Sequence, residues 1–199
     1  MLQTSATTAS LSISEEKKLI RTTYNQRRSL FANESLGSSV FERLKNHWWF
    51  EQARSVSIYV SQPIEFPTLG LFEFCLRQKK KVYAPVMQGL ELSFKPIVDW
   101  NRLHMNEKNI REPLFGSNIS PEQIDVFFVP LTAFDRSGNR LGRGGINGGF
   151  YDRLFSNHQV RGKKVGLGFE FQEHFRLPTE IHDVPMDYIL TERRIIQAL

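Results

Sequence analysis

The sequence predicts an α/β protein: a single layered α/β/α domain around a mostly parallel, Rossmann-like sheet. Three observations predict it. Apolar, β-branched runs alternate with stretches of helical period, the order that builds a parallel sheet through crossover helices. The run Ile124 to Leu131 is the most apolar in the chain, as a central strand buried on both faces must be. The chain has 199 residues, 40% of them hydrophobic and 16 of them Phe, enough for one real core and no obvious second domain. The domain is expected over residues 14–199, behind a Ser/Thr-rich tail (residues 1–13) that should be disordered.

The elements follow in order. Ser14 can cap a helix whose first turn carries Glu15 and Glu16 and which runs to about Phe31. On it Lys17, Arg21 and Arg28 fall within about 40° at the helical repeat, joined by Tyr24, while Leu19, Thr23 and Leu30 point elsewhere. Three cations on one stripe ordinarily form a solvated face; the stripe gains meaning only if it lies beside an anion site. A second helix is predicted over 38–52, with Val40, Phe41, Leu44 and Trp48 at core spacing. Ser55 to Val60 reads as a buried strand ending in a polar loop, Ser61-Gln-Pro-Ile-Glu65. That loop holds a lone carboxylate at the strand edge where α/β folds collect ligands. A helix over 67–78 and a short strand over 82–84 come next, then an alternating strand over 90–97. Residues 99–117 show no period and read as a functional loop or cover. After the central strand come a helix over 150–158, a strand over 164–169 with two glycines, a short link over 171–177 and a last strand over 184–190.

The totals bound the function. A net charge of +5 and a pI near 9.4 favour an anionic partner, whether nucleic acid, an acidic membrane face or a polyphosphate. A single cysteine, Cys75, excludes an internal disulfide and a thiolate metal cluster. No window approaches a membrane-spanning length of apolar residues, and the first 13 residues lack a secretory or transit pattern, so the cytoplasm is the expected location. Trp48-Trp49-Phe50 could stack on bases, but packing against the sheet is the simpler account. No nucleic-acid-binding motif is present, and the expected partners are small molecules acting on a monomer.

The most informative stretch runs from Phe128 to Phe155. Six of the 13 glycines fall between Gly138 and Gly149, with Arg140 and Arg143 among them. Glycine lets backbone amides approach a ligand closely, and arginine offers a fixed fork of donors suited to phosphate. Strand, glycine-rich turn and helix together make a polyphosphate cradle. It is not a Gly-x-x-x-x-Gly-Lys-Ser/Thr loop, nor a dinucleotide fingerprint near the first strand. Asp152 and Asp187 could together hold a hard cation such as Mg²⁺ on a bound nucleotide. The five histidines show no zinc spacing and there is no Gly-x-Ser-x-Gly elbow. What remains is phosphate chemistry without a covalent nucleophile.

At this level of detail the chain resembles a known family. FVPLTAFDRSGNRLGRGG…GFYDR is similar to the signature of the 5-formyltetrahydrofolate cyclo-ligases, or methenyltetrahydrofolate synthetases. Lys17-Lys-Leu-Ile-Arg21, Ser57 to Glu65, Asn109-Ile-Arg-Glu-Pro113 and His182 to Thr191 resemble further family segments, in the right order. The resemblance implies ATP contacts at Lys17, Arg21, Arg140, Gly142, Arg143, Gly144, Gly145, Gly149, Phe150 and Tyr151. It implies folate contacts at Val60 and Glu65 and Mg²⁺ at Asp152 and Asp187, with Arg143 and Tyr151 as the catalytic candidates. The reaction implied is that of a ligase. Attack of the formyl oxygen on the γ-phosphate of ATP is followed by ring closure to 5,10-methenyltetrahydrofolate, with ADP and phosphate released. One departure stands out: the glycine loop is longer than the family pattern by three residues, Ile146-Asn147-Gly148. A longer loop costs little closure entropy but can displace phosphate-binding amides. A folate- or nucleotide-binding protein with weak turnover is therefore the second reading.

Overall fold

The computed structural model describes residues 11–31, 39–107, 109–144, 148–157 and 159–199. Most of the tail therefore lies outside the described residues; of its last three, Leu11 and Ser12 lead into the first helix and Ile13 begins it. In chain order the elements are α1 (Ile13–Phe31), α2 (Ser39–Glu42), α3 (Trp48–Gln52), β1 (Ser55–Ile58), α4 (Leu69–Arg77), β2 (Lys81–Gln88) and β3 (Glu91–Pro96). They continue with β4 (Leu103–Met105), β5 (Arg111–Pro113), β6 (Val126–Pro130), β7 (Ala133–Phe134), β8 (Arg140–Leu141), α5 (Phe150–Asn157), β9 (Lys163–Leu167), β10 (Tyr188–Leu190) and β11 (Ile195–Gln197).

Seven strands form the main sheet in the order β11-β10-β9-β6-β1-β2-β3. The inner pairs β2–β1, β1–β6, β6–β9 and β9–β10 are parallel, and antiparallel β3 and β11 close the two edges. β6 is central, and its side chains alternate: Val126 and Phe128 enter one apolar layer with α2, α3 and α4, while Phe127 and Val129 enter another with Tyr151 and Leu154 of α5. All four are fully buried. Each large apolar side chain so placed contributes roughly 1.5–3 kcal/mol, which is why this run dominates the hydropathy profile. The layered α/β/α expectation is met. Counting only parallel strands, the order is 2-1-3-4-5, so the winding reverses between β1 and β6. Ligands bind at the carboxyl ends of the strands beside such a reversal.

Several elements differ from expectation for physical reasons. The first helix is capped by Ser12, not Ser14: Ser12 Oγ accepts from Glu15 N (3.3 Å) and Glu15 Oε2 accepts from Ser12 N (2.9 Å), a reciprocal capping box. The helix expected over 38–52 is broken at His47, which is extended (φ −108°, ψ 120°). The break advances the register, so Trp49 and Phe50 join Phe41 and Leu44 in the core while Trp48 is 60% exposed. The strand at 82–84 extends to Gln88 because Pro85 lies beyond Tyr83, the last β2 residue paired with β1. The cover segment carries the small β4–β5 hairpin, and β11 was not foreseen. Gly166 of β9 has the close neighbours its position suggested: a Cβ there would stand 2.7 Å from Ile189 and 2.8 Å from Leu131.

The largest correction concerns α1. Its basic stripe lies on the buried face beside Ile20, and Leu19 and Leu30 are outside. Lys17, Tyr24 and Arg28 are all at most 5% exposed, whereas Leu19 and Leu30 are 58% and 75% exposed. The stripe is turned inward because polar partners await it there. Lys17 Nζ donates to Glu180 and Asp183, Arg21 Nε to Gly142 O (3.0 Å), and Arg28 Nε to Ile64 O (2.9 Å). A small apolar cluster of Ile20, Tyr24, Ala133, Leu141 and Leu177 seats the helix against β7 and β8.

Candidate active site

The site begins with the hairpin β7–β8 that follows the central strand. Asp135, 2% exposed, builds its turn: one carboxylate oxygen accepts from Ser137 N and Asn139 N, the other from Asn139 Nδ2 and Leu177 N. Gly138 must be glycine, since it has φ +80° and a Cβ would lie 2.4 Å from Met186 O. This turn returns the chain so that β8 delivers Arg140 and the glycine residues to the carboxyl end of the sheet. α5 then starts at Phe150. Arg153 ties the exit of the loop down, donating to Gly148 O (2.6 Å) and to Leu90 O in the β2–β3 turn.

On the other side of the reversal, β1 runs into a tight turn. Thr68 and Ser61 exchange hydrogen bonds, Glu65 N donates to Gln62 O, and Glu65 Oε2 accepts from Gln62 N (3.0 Å). The turn holds the Glu65 carboxylate at 7% exposure, facing the glycine residues. Arg143 Nε bonds Glu65 Oε1 across the gap at 2.9 Å.

Between these walls lies a cavity of about 660 Å³. Val60, Glu65, Arg140, Gly142, Arg143, Gly144, Gly149, Phe150 and Tyr151 all border it, so nine of the residues singled out in the sequence meet at one place. Gly144 and Gly149 have φ of +71° and +77°, the left-handed backbone that glycine adopts without strain. A second cavity of about 580 Å³ adjoins the first, sharing Val60, Glu65 and Arg111 with it. Each volume is in the range of a single small-molecule ligand.

Arg140 and Tyr151 are the unusual pair. Both are 8% exposed, with the guanidinium 5.7 Å from the ring centroid. An Arg140 Nη stands 3.1 Å from Asp152 Oδ2, close enough for charge attraction but too poorly aligned for a hydrogen bond. Among the described residues, Arg140 Nε, the same Nη and the Tyr151 hydroxyl are buried polar atoms without hydrogen-bond partners. Leaving such groups unmatched costs on the order of 1–3 kcal/mol each. Burial pushes the Tyr151 phenol well above its usual range, so it stays protonated and remains a donor.

Other residues lie apart. Lys17 is held by Glu180 and Asp183, and Arg21 braces the glycine turn from behind; neither borders the cavity. Asp187 stands at the amino end of β10, away from the ligand edge, accepting from Lys164 N (2.7 Å) and paired with Lys163 and Lys164. Asp152 faces Arg140 and accepts from Val184 N. The two aspartates thus serve different cations and do not form a joint metal site. Gly145, Ile146 and Asn147 lie outside the described residues. Sequence reading missed the wall formed by Pro85, Met87 and Leu92, because apolar strand residues carry no local sign of facing a ligand; Ile110 and Arg111, from the segment read as functional loop or cover, complete it. Glu112 also borders the cavity, its carboxylate accepting from Met87 N at 3.1 Å.

A model of the 5-formyltetrahydrofolate cyclo-ligase family matches residues 13–192. The chain belongs to that family. It is 38% identical to the 5-formyltetrahydrofolate cyclo-ligase of Haemophilus influenzae over 145 residues, covering 70% of this chain and 76% of that one. It is 32% identical to the Escherichia coli K12 enzyme over 168 residues, covering 81% and 91%. Among solved structures, the NMR structure of Aquifex aeolicus 5,10-methenyltetrahydrofolate synthetase superposes with a TM-score of 0.77 at 31% identity, covering 91% of this chain and 92% of the other. A Mycoplasma pneumoniae synthetase shares the fold, with a TM-score of 0.67 at 21% identity and coverage of 89% and 99%. The cyclo-ligase family is one of ligases, and the matched span includes every described residue that borders the cavity.

Proposed function

We propose that the chain catalyses the ATP- and Mg²⁺-dependent conversion of 5-formyltetrahydrofolate to 5,10-methenyltetrahydrofolate, releasing ADP and phosphate. The observation that carries this reading is the group of unmatched buried donors on Arg140 and Tyr151. They border a cavity with left-handed glycines on one wall and a buried carboxylate on the other. Donors held unpaired in a desolvated wall are preorganised for negative charge, and charge develops on the transferred phosphoryl group. Arg140 and the Tyr151 hydroxyl would donate to phosphate oxygens, with the amides around Gly142, Gly144 and Gly149 lining the same approach. Arg143, half exposed and reaching across the gap, would exchange Glu65 for the anion. Glu65, so released, would accept from N–H groups of the folate beside Val60. The formyl oxygen ends on the released phosphate, and the adjacent folate nitrogen closes the ring. The protein's contribution is to hold two ligands in line and keep water out.

Asp152 and Asp187 offer no shared cation site, so no step is assigned to the metal, which would arrive as the counter-ion of the nucleotide. The decisive assay mixes purified protein, ATP, Mg²⁺ and 5-formyltetrahydrofolate and follows the methenyl product's absorbance together with ADP. The expected outcome is one ADP per product formed. Saturating ligands with no folate-dependent ADP release would overturn the reading.

A further inference from the structure

Arg28 is a buried cation with no part in the reading so far. It is 3% exposed, and the ion pairs at the cavity, Arg140–Asp152 and Arg143–Glu65, do not include it. Among the described residues no carboxylate lies within ion-pair distance of its guanidinium. A charge buried on those terms is expensive, and an uncharged side chain of similar length would fill the same space at lower cost. The anchors it does have are informative. Nε donates to Ile64 O (2.9 Å) and one Nη to Thr132 Oγ1 (3.3 Å), with Leu131 O at 3.5 Å. Ile64 immediately precedes Glu65, while Leu131 and Thr132 immediately follow β6. Arg28 thus ties the turn that follows β1 to the end of β6, across the winding reversal. Gln172 Nε2 donates to the carbonyls of Leu131 and Thr132, fixing that end of the tie. Burial lowers the pKa of the guanidinium, and the strongest opposing influence is the Glu65 carboxylate.

Among the described residues Glu65 has one contacting cation, Arg143, which is the more exposed partner at 46% against 4% for the side chains. When Arg143 turns to a phosphate, the buried carboxylate loses that ion pair. It then needs charge compensation from a cation that does not move.

We propose that Arg28 is a positioning residue for Glu65. It pins the Ile64–Glu65 peptide to the end of β6 and keeps positive charge behind the carboxylate while Arg143 engages the anionic co-substrate. The inference rests on the reading of Glu65 as a contact to the folate.

The test is a kinetic double-mutant cycle with Glu65→Gln, Arg28→Met and Arg28→Lys, measuring kcat, both KM values and the unfolding midpoint. Glu65→Gln should raise the folate KM about tenfold, the loss of one charge-assisted hydrogen bond, while the ATP KM does not rise, since Arg143 no longer has to leave a carboxylate. Arg28→Met should do the same, Arg28→Lys should recover most of that loss, and neither should add to Glu65→Gln in the double variants. Additive losses would mean a general packing role and overturn the inference while leaving the folate reading intact. An unchanged folate KM in Glu65→Gln would overturn both. If Arg28→Met does not fold, Arg28→Gln in the two backgrounds decides between coupled and additive behaviour.

Discussion

Asp135 and Arg140 lie five residues apart on one hairpin, are almost equally buried, and are treated in opposite ways by the fold. Asp135 accepts four hydrogen bonds and closes its turn completely. Arg140 keeps two nitrogens at a cavity wall without hydrogen-bond partners among the described residues. A finished polar group stabilises the structure that surrounds it, whereas an unfinished one stores a cost that a ligand can relieve. The hairpin therefore divides its labour: one end is scaffold and the other is site.

That division can be broken experimentally. Arg140→Met should produce the largest effect, a fall in kcat/KM of roughly 10²–10³, the loss expected when a preorganised donor is removed. Its unfolding free energy should stay within about 1 kcal/mol of the parent, because the group lost was incompletely bonded. Steady-state kinetics beside denaturant unfolding would measure both, and a strongly destabilised variant with normal turnover would erase the distinction. Asp135→Ala should do the reverse. It should lose roughly 3 kcal/mol of stability, since several buried amides become unpaired at once, with kcat of the folded fraction largely kept. Tyr151→Phe is the finer probe and the smallest effect. Turnover should drop about tenfold, with stability unchanged or slightly raised because an unmatched buried hydroxyl is gone. A Tyr151→Phe variant with full activity would leave Arg140 as the sole unfinished donor of the pair.

The same contrast shows how legible the molecule was. The central strand and the glycine turn could be read locally, because each announces itself by composition: apolar residues for a strand buried on both faces, glycines for left-handed backbone. Glu65 needed the family resemblance as well, since a lone carboxylate after a strand is more often a cap or loop residue. The break at His47 could not, since periodicity sees a continuous helix where the sheet requires Trp49 and Phe50 rather than Trp48. Nor could the inward turn of the α1 stripe. A helical wheel gives the angle between cations but not what lies opposite them. Here Glu180, Asp183, Gly142 O and Ile64 O lie opposite, supplied by segments 36 to 166 residues away along the chain.

By itself, then, the sequence determined the α/β class, the central strand and the glycine–arginine turn, because these depend on interactions a residue makes with its near neighbours. Only the tertiary structure decided which cations face inward, that Asp187 stands at the amino end of its strand and that Arg143 meets Glu65. It also decided that, among the described residues, donors of Arg140 and Tyr151 are left without hydrogen-bond partners. Those outcomes depend on which donors and acceptors the folded sheet brings opposite each other, and hydrogen bonding and desolvation act on that assembled arrangement rather than on the order of residues.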